Sequence, residues 1–235
     1  MTPAIDFSKA ALVVIDIQND FCPNGNLAVL GGDEVIDGVN RISSLFNTVV
    51  LSQDWHPENH ASFAKNQGQD PFTQKSFPYG DQTLWPNHCV QDTFGAKFCS
   101  ELDETVTRAH MIVRKGTNPD VDSYSAFMEN DKKSTTGLAG YLKERGVTQV
   151  VFVGLAYDYC VAYSATDAIA LGFEAVVVKD LTRGIGTPLG NGQTTIDATD
   201  TLFTNSGVVV CNEVDILAAF ARSPQKMPKA AQPKM

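Results

Sequence analysis

The sequence has few basic residues and no cluster of them. Its 235 residues include 18 Lys and Arg against 27 Asp and Glu, a formal net charge of −9. Phosphate-rich surfaces are bound through concentrated Lys and Arg, because these side chains replace the counterions of the phosphates. The composition therefore argues against nucleic acid and anionic membranes as partners, and a small molecule is expected instead.

Long apolar runs and regular cysteine spacing are lacking as well. No apolar segment approaches the ~20 residues that a membrane-spanning helix requires. The apolar run near the N-terminus is short, follows Asp6, and lacks the charged region and cleavage site of a secretion signal. An odd cysteine count without a CxxC pair argues against a disulfide framework and predicts a cytoplasmic, reducing location. The cysteines are Cys22, Cys89, Cys99, Cys160 and Cys211.

A regular alternation of two segment types is present. Near-continuous β-branched runs are typical of strands buried on both faces, and segments with helical spacing, such as 33–46 and 137–145, lie between them. The runs are residues 11–16, 48–54, 111–116, 149–156, 174–180 and 208–211. This alternation predicts a single α/β domain over residues 1–222, with a six-stranded parallel sheet covered by helices on both faces. Residues 223–235 are expected to form a disordered tail.

The alternation stops between Trp55 and Phe98. This segment contains prolines, glycines, both tryptophans and three of the four histidines, and it has no convincing period. Irregular segments of this length inside a compact domain are uncommon and tend to be functional. We therefore expect part of the functional site here.

Reactive side chains stand where the predicted strands end. Asp16, Asp54 and Lys115 close the first three strands, and Cys160 begins the helical segment after the fourth. A thiol at a helix N-terminus meets the positive end of the helix dipole, which favours the thiolate, as would a nearby lysine. With Asp16 to take up and return protons, and no histidine after residue 110, the pattern favours a Cys, Asp and Lys hydrolase over a Cys and His protease.

Each of these residues also has a commoner structural role when taken singly. A strand-end aspartate often caps a turn, a lysine is usually solvated, and a cysteine in an apolar sequence usually lies in the core. The other cysteines have no strand-end position or end a buried strand, and we interpret them as structural: Cys22, Cys89, Cys99 and Cys211.

A second group of residues could hold a metal. It consists of one carboxylate and three imidazoles: Asp54, His56, His60 and His88. Such sets bind zinc, iron or manganese, and D-x-H spacing on an extended chain points two ligands to the same face. The alternatives are histidines that cap turns, which we prefer for His110, and a structural zinc site that includes Cys89, for which the other cysteines lack the spacing.

Taken together, five segments resemble the nicotinamidase/pyrazinamidase branch of the isochorismatase-like hydrolases. In chain order they are ALVVIDIQNDFCPNGNLAV, DWHPENHASF, WPNHCV, KGTNPDVDSYSAF and GLAYDYCV. The resemblance implies a three-layer Rossmann-like fold with a six-stranded parallel sheet. It also implies hydrolysis of nicotinamide to nicotinate and ammonia in NAD salvage, with pyrazinamide as a further substrate.

The resemblance implies roles for individual residues. The family's catalytic triad corresponds to Asp16, Lys115 and Cys160. The amides of Ala156 and Cys160 correspond to its oxyanion hole, and the peptide before Ala156 is expected to be cis. Cys160 would attack the amide carbon and form a thioester, while Asp16 protonates the departing ammonia.

The resemblance also implies a metal site and a substrate slot. One divalent metal, with zinc preferred over iron and manganese, would be held by Asp54, His56 and His88 and would bind the pyridine nitrogen. Only some family members use the position of His60. The aromatic residues expected around the ring are Phe21, Trp85 and Tyr124. Phe63 and Phe94 are expected in the core, while Tyr157 and Tyr163 receive no assignment.

Two other functions compete with this interpretation. A carbamoyl or ureido amidohydrolase would use the same three catalytic residues, although such relatives generally need no metal. A metal-binding, redox-sensing protein would use Cys160 for reversible oxidation. The oligomeric state has no signal in the sequence.

Overall fold

The computed structural model describes residues 3–190 and 192–223. Its strands are β1 (Ala10–Ile15), β2 (Val49–Asp54), β3 (Gln74–Phe77), β4 (Gly80–Thr83), β5 (Met111–Lys115), β6 (Gln149–Leu155), β7 (Glu174–Arg183) and β8 (Val209–Cys211). Its α-helices are α1 (Ile36–Ser43), α2 (Ala64–Gln67), α3 (Asp103–Arg108), α4 (Leu138–Glu144), α5 (Ala162–Ala170), α6 (Thr195–Ser206) and α7 (Glu213–Arg222). A π-helical turn, Tyr157–Val161, leads into α5.

The apolar runs form one parallel sheet in the order β5-β2-β1-β6-β7-β8. Every residue of β1, β2 and β6 is buried, as expected for strands that have helices on both sides. The chain therefore reverses its direction of winding next to β1, and the carboxyl ends of β1, β2, β5 and β6 lie along one edge. Ligand sites of open α/β sheets lie at this edge.

Alternate residues of the central strand face two separate cores. Leu12 and Val14 pack in a core with residues of α1 and α7, whereas Val13 and Ile15 pack in a core with residues of α4, α5 and α6. The strand period of two residues sends successive side chains to opposite faces. This arrangement gives three layers, and the predicted fold class, an α/β fold with a six-stranded parallel sheet, is confirmed.

The segment from Trp55 to Phe98 contains more regular structure than its sequence indicated. It includes α2 and an antiparallel hairpin formed by β3 and β4. Most residues of this hairpin are exposed or half-buried, so no apolar alternation marks it. Gln82 is the exception, because its side chain is almost completely buried against the site described below.

The first predicted helix and the two phenylalanines assigned to the core differ in part from the sequence predictions. The predicted helix over 33–46 divides into a 3-10 turn, Gly32–Val35, and the shorter α1. Phe63 is fully buried as expected, but the prediction for Phe94 is wrong, because this side chain is 74% exposed. None of the helices in the described part of the chain is long and apolar enough to cross a membrane. Except for Ser223, the predicted tail lies outside the described residues, and the single domain over 1–222 stays a prediction.

Candidate active site

The carboxyl ends of four strands bring the predicted catalytic residues together. Asp54 and Lys115 are register partners at the ends of β2 and β5. Asp16 follows β1, with a φ of 46°, and Cys160 lies in the π-helical turn that follows β6. All four side chains are buried in the described structure.

Lys115 lies at the centre of this group. Its Nζ is 2.9 Å from Asp16 Oδ2 and donates hydrogen bonds to Asp54 Oδ1, to the Ser123 carbonyl at 3.0 Å and to Cys160 Sγ at 3.4 Å. Three donated bonds use all three protons of an ammonium group. Asp16 Oδ1 accepts a hydrogen bond from Ser52 Oγ at 2.7 Å, whereas Oδ2 makes none within the described residues.

The two carboxylates beside Lys115 have opposite proton affinities. Burial raises the pKa of Asp16, and the attraction of Lys115 does not compensate for it. Burial acts on Asp54 in the same sense, but Lys115 and His56 outweigh it and hold the pKa of Asp54 well below its usual range. Environments that separate the pKa values of neighbouring groups divide acid-base roles between them. Asp16 is thereby suited to carry a proton, and Asp54 is suited to stay ionised.

The thiol of Cys160 does not have the environment that the sequence suggested. It lies within the π-helical turn rather than at the N-terminus of α5, which begins at Ala162. Burial raises the pKa of the Cys160 thiol well above its usual value; Lys115 lowers it, but Asp16 and Asp54 raise it further. The expectation of a resting thiolate is therefore not met by the described residues. Attack by this sulfur needs a base, and Asp16, which faces the thiol, is the nearby acceptor.

The three expected metal ligands converge beside this group. His56 Nε2 and His88 Nε2 lie 3.5 Å and 3.7 Å from Asp54 Oδ2. The Nδ1 atoms lie 2.9 Å from the Gly116 carbonyl and 2.8 Å from the Pro86 carbonyl, respectively. An Nδ1 proton donated to a carbonyl leaves Nε2 free as an acceptor, which is the usual arrangement of metal-binding histidines.

Local backbone geometry supports these ligands. Gln18 Nε2 donates to the Asp54 carbonyl, and Gln18 Oε1 accepts from the Asp54 amide, both at 2.8 Å, so that the buried glutamine fixes the end of β2. Gly116 has a φ of +64°, and a Cβ atom there would lie 2.3 Å from His56 Cε1. Only glycine leaves space for the His56 ring at this turn.

His60 completes the cluster of imidazoles. Its side chain is fully buried, Nδ1 lies 2.8 Å from Ser62 Oγ, and Nε2 has no hydrogen-bond partner among the described residues. Burial lowers the pKa of His60 to about 4, so its ring is neutral near pH 7. The Ser62 amide donates to Nδ1 at 3.3 Å, so Nε2 is left as a buried polar atom without a partner among the described residues, which is costly unless it binds something. The donor atoms of Asp54, His56 and His88 therefore fit a divalent metal, and His60, which groups with His56 and Asp122, is the candidate for a further ligand.

A narrow cavity opens between Cys160 and the histidines. Its volume is about 30 Å³. The lining residues are Phe21, Leu27, Asp54, Trp85, His88, Asp122, Tyr124, Ala156, Tyr159, Cys160 and Ile185.

The expected aromatic residues Phe21, Trp85 and Tyr124 all line this cavity. Trp85 Nε1 donates to the Tyr124 hydroxyl at 3.2 Å, and Phe21 packs on the His88 ring with centroids 5.5 Å apart. Ala156 also lines the cavity, and the peptide bond before it is cis as expected. Sequence reasoning missed Tyr159, whose ring packs edge-on against Trp85.

The two tyrosines without an assignment lie outside this cavity lining. Tyr157 donates from its hydroxyl to Asp200 Oδ1 at 2.5 Å and packs against α6. Tyr163 packs edge-on against the Tyr124 ring, with centroids 5.0 Å apart. The helical spacing of the segment gave no means of choosing Tyr159 from among its neighbours.

A polar network supports the cavity wall from the hairpin side. Gln82 Nε2 donates to Asp122 Oδ2 at 2.8 Å and to the Tyr124 hydroxyl at 2.7 Å, and Gln82 Oε1 accepts from Asn130 Nδ2 at 2.9 Å. Neither Gln82 nor Asp122 was identified from the sequence, because neither belongs to a recognisable local pattern. Both depend on contacts between segments about 40 residues apart.

Comparisons with known proteins extend over most of the chain. Residues 10–198 match the model of the isochorismatase domain family. A nicotinamidase of Acinetobacter baylyi is 50% identical over 179 residues, which cover 76% of this chain and 83% of that protein.

Solved structures of nicotinamidases and pyrazinamidases are also similar to this chain. An Acinetobacter baumannii nicotinamidase/pyrazinamidase has a TM-score of 0.84 and 45% identity, covering 89% of this chain and 98% of that chain. PnC1 of L. infantum, in complex with nicotinate, has a TM-score of 0.78 and 35% identity, covering 92% and 98%. A pyrazinamidase of Pyrococcus horikoshii, in complex with zinc, has a TM-score of 0.69 and 34% identity, covering 87% and 99%.

Proposed function

The chain belongs to the isochorismatase domain family, and we propose that it hydrolyses nicotinamide to nicotinate and ammonia. The family, the fold class and the amidohydrolase class agree with the sequence predictions. The substrate is supported by the nicotinamidases among the relatives and by the nicotinate complex of the L. infantum protein. Pyrazinamide as a second substrate and a role in NAD salvage remain part of the proposal.

The observation that carries this proposal is the contact of Lys115 with three other buried groups. Asp16, Asp54 and Cys160 all lie around its Nζ, beside a cavity with aromatic walls. A buried nucleophile, a proton acceptor and a cation beside a cavity with aromatic walls are the components of covalent amide hydrolysis.

The first half of the proposed reaction forms a thioester. Asp16 Oδ2 takes the proton of Cys160 Sγ as the sulfur attacks the amide carbon. The amides of Ala156 and Cys160 stabilise the oxyanion that develops. Asp16 then donates its proton to the amide nitrogen, the C–N bond breaks, ammonia departs, and the nicotinoyl group stays bound to the sulfur.

The second half releases the acid. Asp16 removes a proton from a water molecule, the water oxygen attacks the thioester carbon, and the C–S bond breaks. The proton on Asp16 returns to Cys160, and the product leaves as nicotinic acid, which releases its remaining proton to solvent and becomes nicotinate. Throughout both halves, Lys115 balances the negative charges that appear on Asp16 and on the sulfur.

The metal site is proposed to consist of Asp54, His56 and His88, with His60 as a fourth ligand. When bound, a divalent metal would hold the pyridine nitrogen and withdraw electron density from the ring. Zinc is preferred because the ligands are imidazoles and a carboxylate, and because the P. horikoshii relative contains zinc. The aromatic rings of Phe21, Trp85 and Tyr124 would hold the ring faces.

Ammonia release by the purified protein tests the proposal. Wild-type protein is expected to release ammonia from nicotinamide and not from a ureido compound, and Cys160→Ala is expected to release none. Cys211→Ala is the matched control, because Cys211 is a buried cysteine at the far edge of the sheet. Activity on the ureido compound alone would contradict the substrate, and full activity of Cys160→Ala would contradict the nucleophile.

A further inference from the structure

Two cysteines that the catalytic site does not use lie in direct contact. Cys22 Sγ and Cys99 Sγ are 2.6 Å apart, although 77 residues separate them along the chain. A disulfide bond is about 2.05 Å long, and non-bonded heavy atoms usually stay roughly 3.5–4.0 Å apart. Both thiols are free in the structure, and both side chains are buried.

Backbone hydrogen bonds hold the two segments together on one side of the sulfur pair. Each of these bonds joins the chain around residues 17–20 to the chain around residues 95–99. They are Asn19 N to Lys97 O at 2.9 Å, Asp20 N to Gly95 O at 3.0 Å, and Cys99 N to Ile17 O at 3.1 Å. The proximity of the sulfurs is therefore fixed by the fold, and a bond between them would require little backbone movement.

Small molecules can reach this pair from solvent. Cys22 and Cys99 both line an open cavity of about 820 Å³, whose other lining residues are mostly polar or acidic. Cys89, Cys160 and Cys211 are not among its lining residues. Proximity thus distinguishes this pair from the other thiols.

We propose that Cys22 and Cys99 are a modification site at which hydrogen peroxide forms a disulfide bond. One sulfur attacks the peroxide, so that an S–O bond forms, the O–O bond breaks and one water molecule leaves. The second sulfur attacks the resulting sulfenic acid, so that the S–S bond forms, the S–O bond breaks and a second water molecule leaves. Two thiols lose two electrons, and one peroxide gains them.

The crosslink would enclose a functionally important part of the chain. The loop between Cys22 and Cys99 contains the proposed metal ligands Asp54, His56 and His88. Closing a loop of this length reduces the entropy of the unfolded chain, and the midpoint of thermal unfolding is expected to rise by roughly 5–10 °C. The disulfide would stabilise the framework of the site without using the catalytic thiol.

Peptide mapping of the full-length protein tests this site. The protein is treated with a small excess of hydrogen peroxide, quenched in acid, alkylated under denaturing conditions and digested without reductant. The expected product is a peptide pair joined through Cys22 and Cys99, which dithiothreitol separates. Recovery of both cysteines as alkylated thiols, as sulfinic acids, or in bonds to other cysteines would overturn the proposal.

Serine variants and a matched control separate this pair from general oxidation. Cys99→Ser is expected to lose both the crosslinked peptide and the peroxide-induced rise in the unfolding midpoint, while Cys211→Ser keeps both. The wild-type mapping decides the question even if Cys99→Ser folds poorly. An equal rise in the midpoint for Cys99→Ser would also contradict the proposal.

Discussion

Lys115 Nζ lies 2.9 Å from Asp16 Oδ2, and neither side chain has any exposed surface. The ammonium also donates to Asp54, Ser123 and Cys160, so Asp16 shares this cation with a second carboxylate and with the thiol. A single cation therefore serves two carboxylates differently. It holds the pKa of Asp54 low, as the proposed metal ligand requires, and leaves Asp16 able to take part in the proposed proton exchange with Cys160.

Replacement of the proposed base should affect turnover more than binding. Asp16→Asn is expected to lower kcat by about 10²–10⁴-fold with little change in KM, because the amide cannot accept the thiol proton. Steady-state kinetics of ammonia release measure both constants. Asp37→Asn, on the exposed face of α1, serves as the control and should match the wild type. A kcat for Asp16→Asn within a factor of a few of wild type would refute the base.

Removal of the central cation should weaken folding. Lys115→Met leaves two buried carboxylates without their partner, and the free energy of unfolding is expected to fall by about 3–5 kcal/mol. Lys132→Met removes a lysine whose side chain is 46% exposed and pairs with Asp167, and its cost should be about 0–1 kcal/mol. Urea denaturation compares the two variants. If both variants lost the same free energy of unfolding, the burial of Lys115 would not determine how much this residue contributes to stability.

His60 Nε2 has no hydrogen-bond partner among the described residues, and we expect this residue to contribute to metal affinity. His60→Ala is expected to bind zinc at least 10-fold more weakly than wild type, because one ligand is lost while Asp54, His56 and His88 remain. Competition with a chromophoric chelator measures the affinity. His110→Ala, which removes an exposed imidazole outside the cluster, should bind zinc as tightly as wild type. An unchanged affinity of His60→Ala would exclude this fourth ligand.

The hairpin should influence substrate binding through Gln82. Gln82→Leu removes the donors to Asp122 and to the Tyr124 hydroxyl, and the cavity wall is expected to lose its fixed position. The KM of Gln82→Leu for nicotinamide is expected to rise about 10-fold, which corresponds to a loss of about 1.4 kcal/mol in binding free energy. Its kcat is expected to change less than its KM. Gln74→Leu, on the exposed strand β3, is the matched control. If both variants have the same KM as wild type, the network has no positioning role.

The sequence identified the sheet better than the hairpin for a physical reason. Strands buried on both faces need continuous apolar runs, so β1, β2 and β6 can be recognised from the apolar runs in the sequence. The β3 and β4 hairpin is largely exposed, and its residues were therefore under no such constraint. Strand ends then located Asp16, Asp54 and Lys115, because parallel strands bring their carboxyl ends to one edge.

Other features depend on contacts between distant segments. Cys22 and Cys99 are each unremarkable in their own segment, and only the folded chain brings their sulfurs together. Gln82 and Asp122 are paired in the same way. The environment of Cys160 was also misjudged, because a helix-start pattern does not show how deeply the thiol is buried or that two carboxylates face it.

The covalent intermediate on Cys160 is the central claim, and rapid quenching tests it most directly. Protein mixed with excess nicotinamide is stopped in acid during turnover, digested and mapped by mass spectrometry. The expected result is one nicotinoyl group on the peptide that contains Cys160, absent from Cys160→Ala and from unmixed protein. Active turnover with an unmodified Cys160 peptide, when the same quench preserves an added thioester standard, would contradict the account.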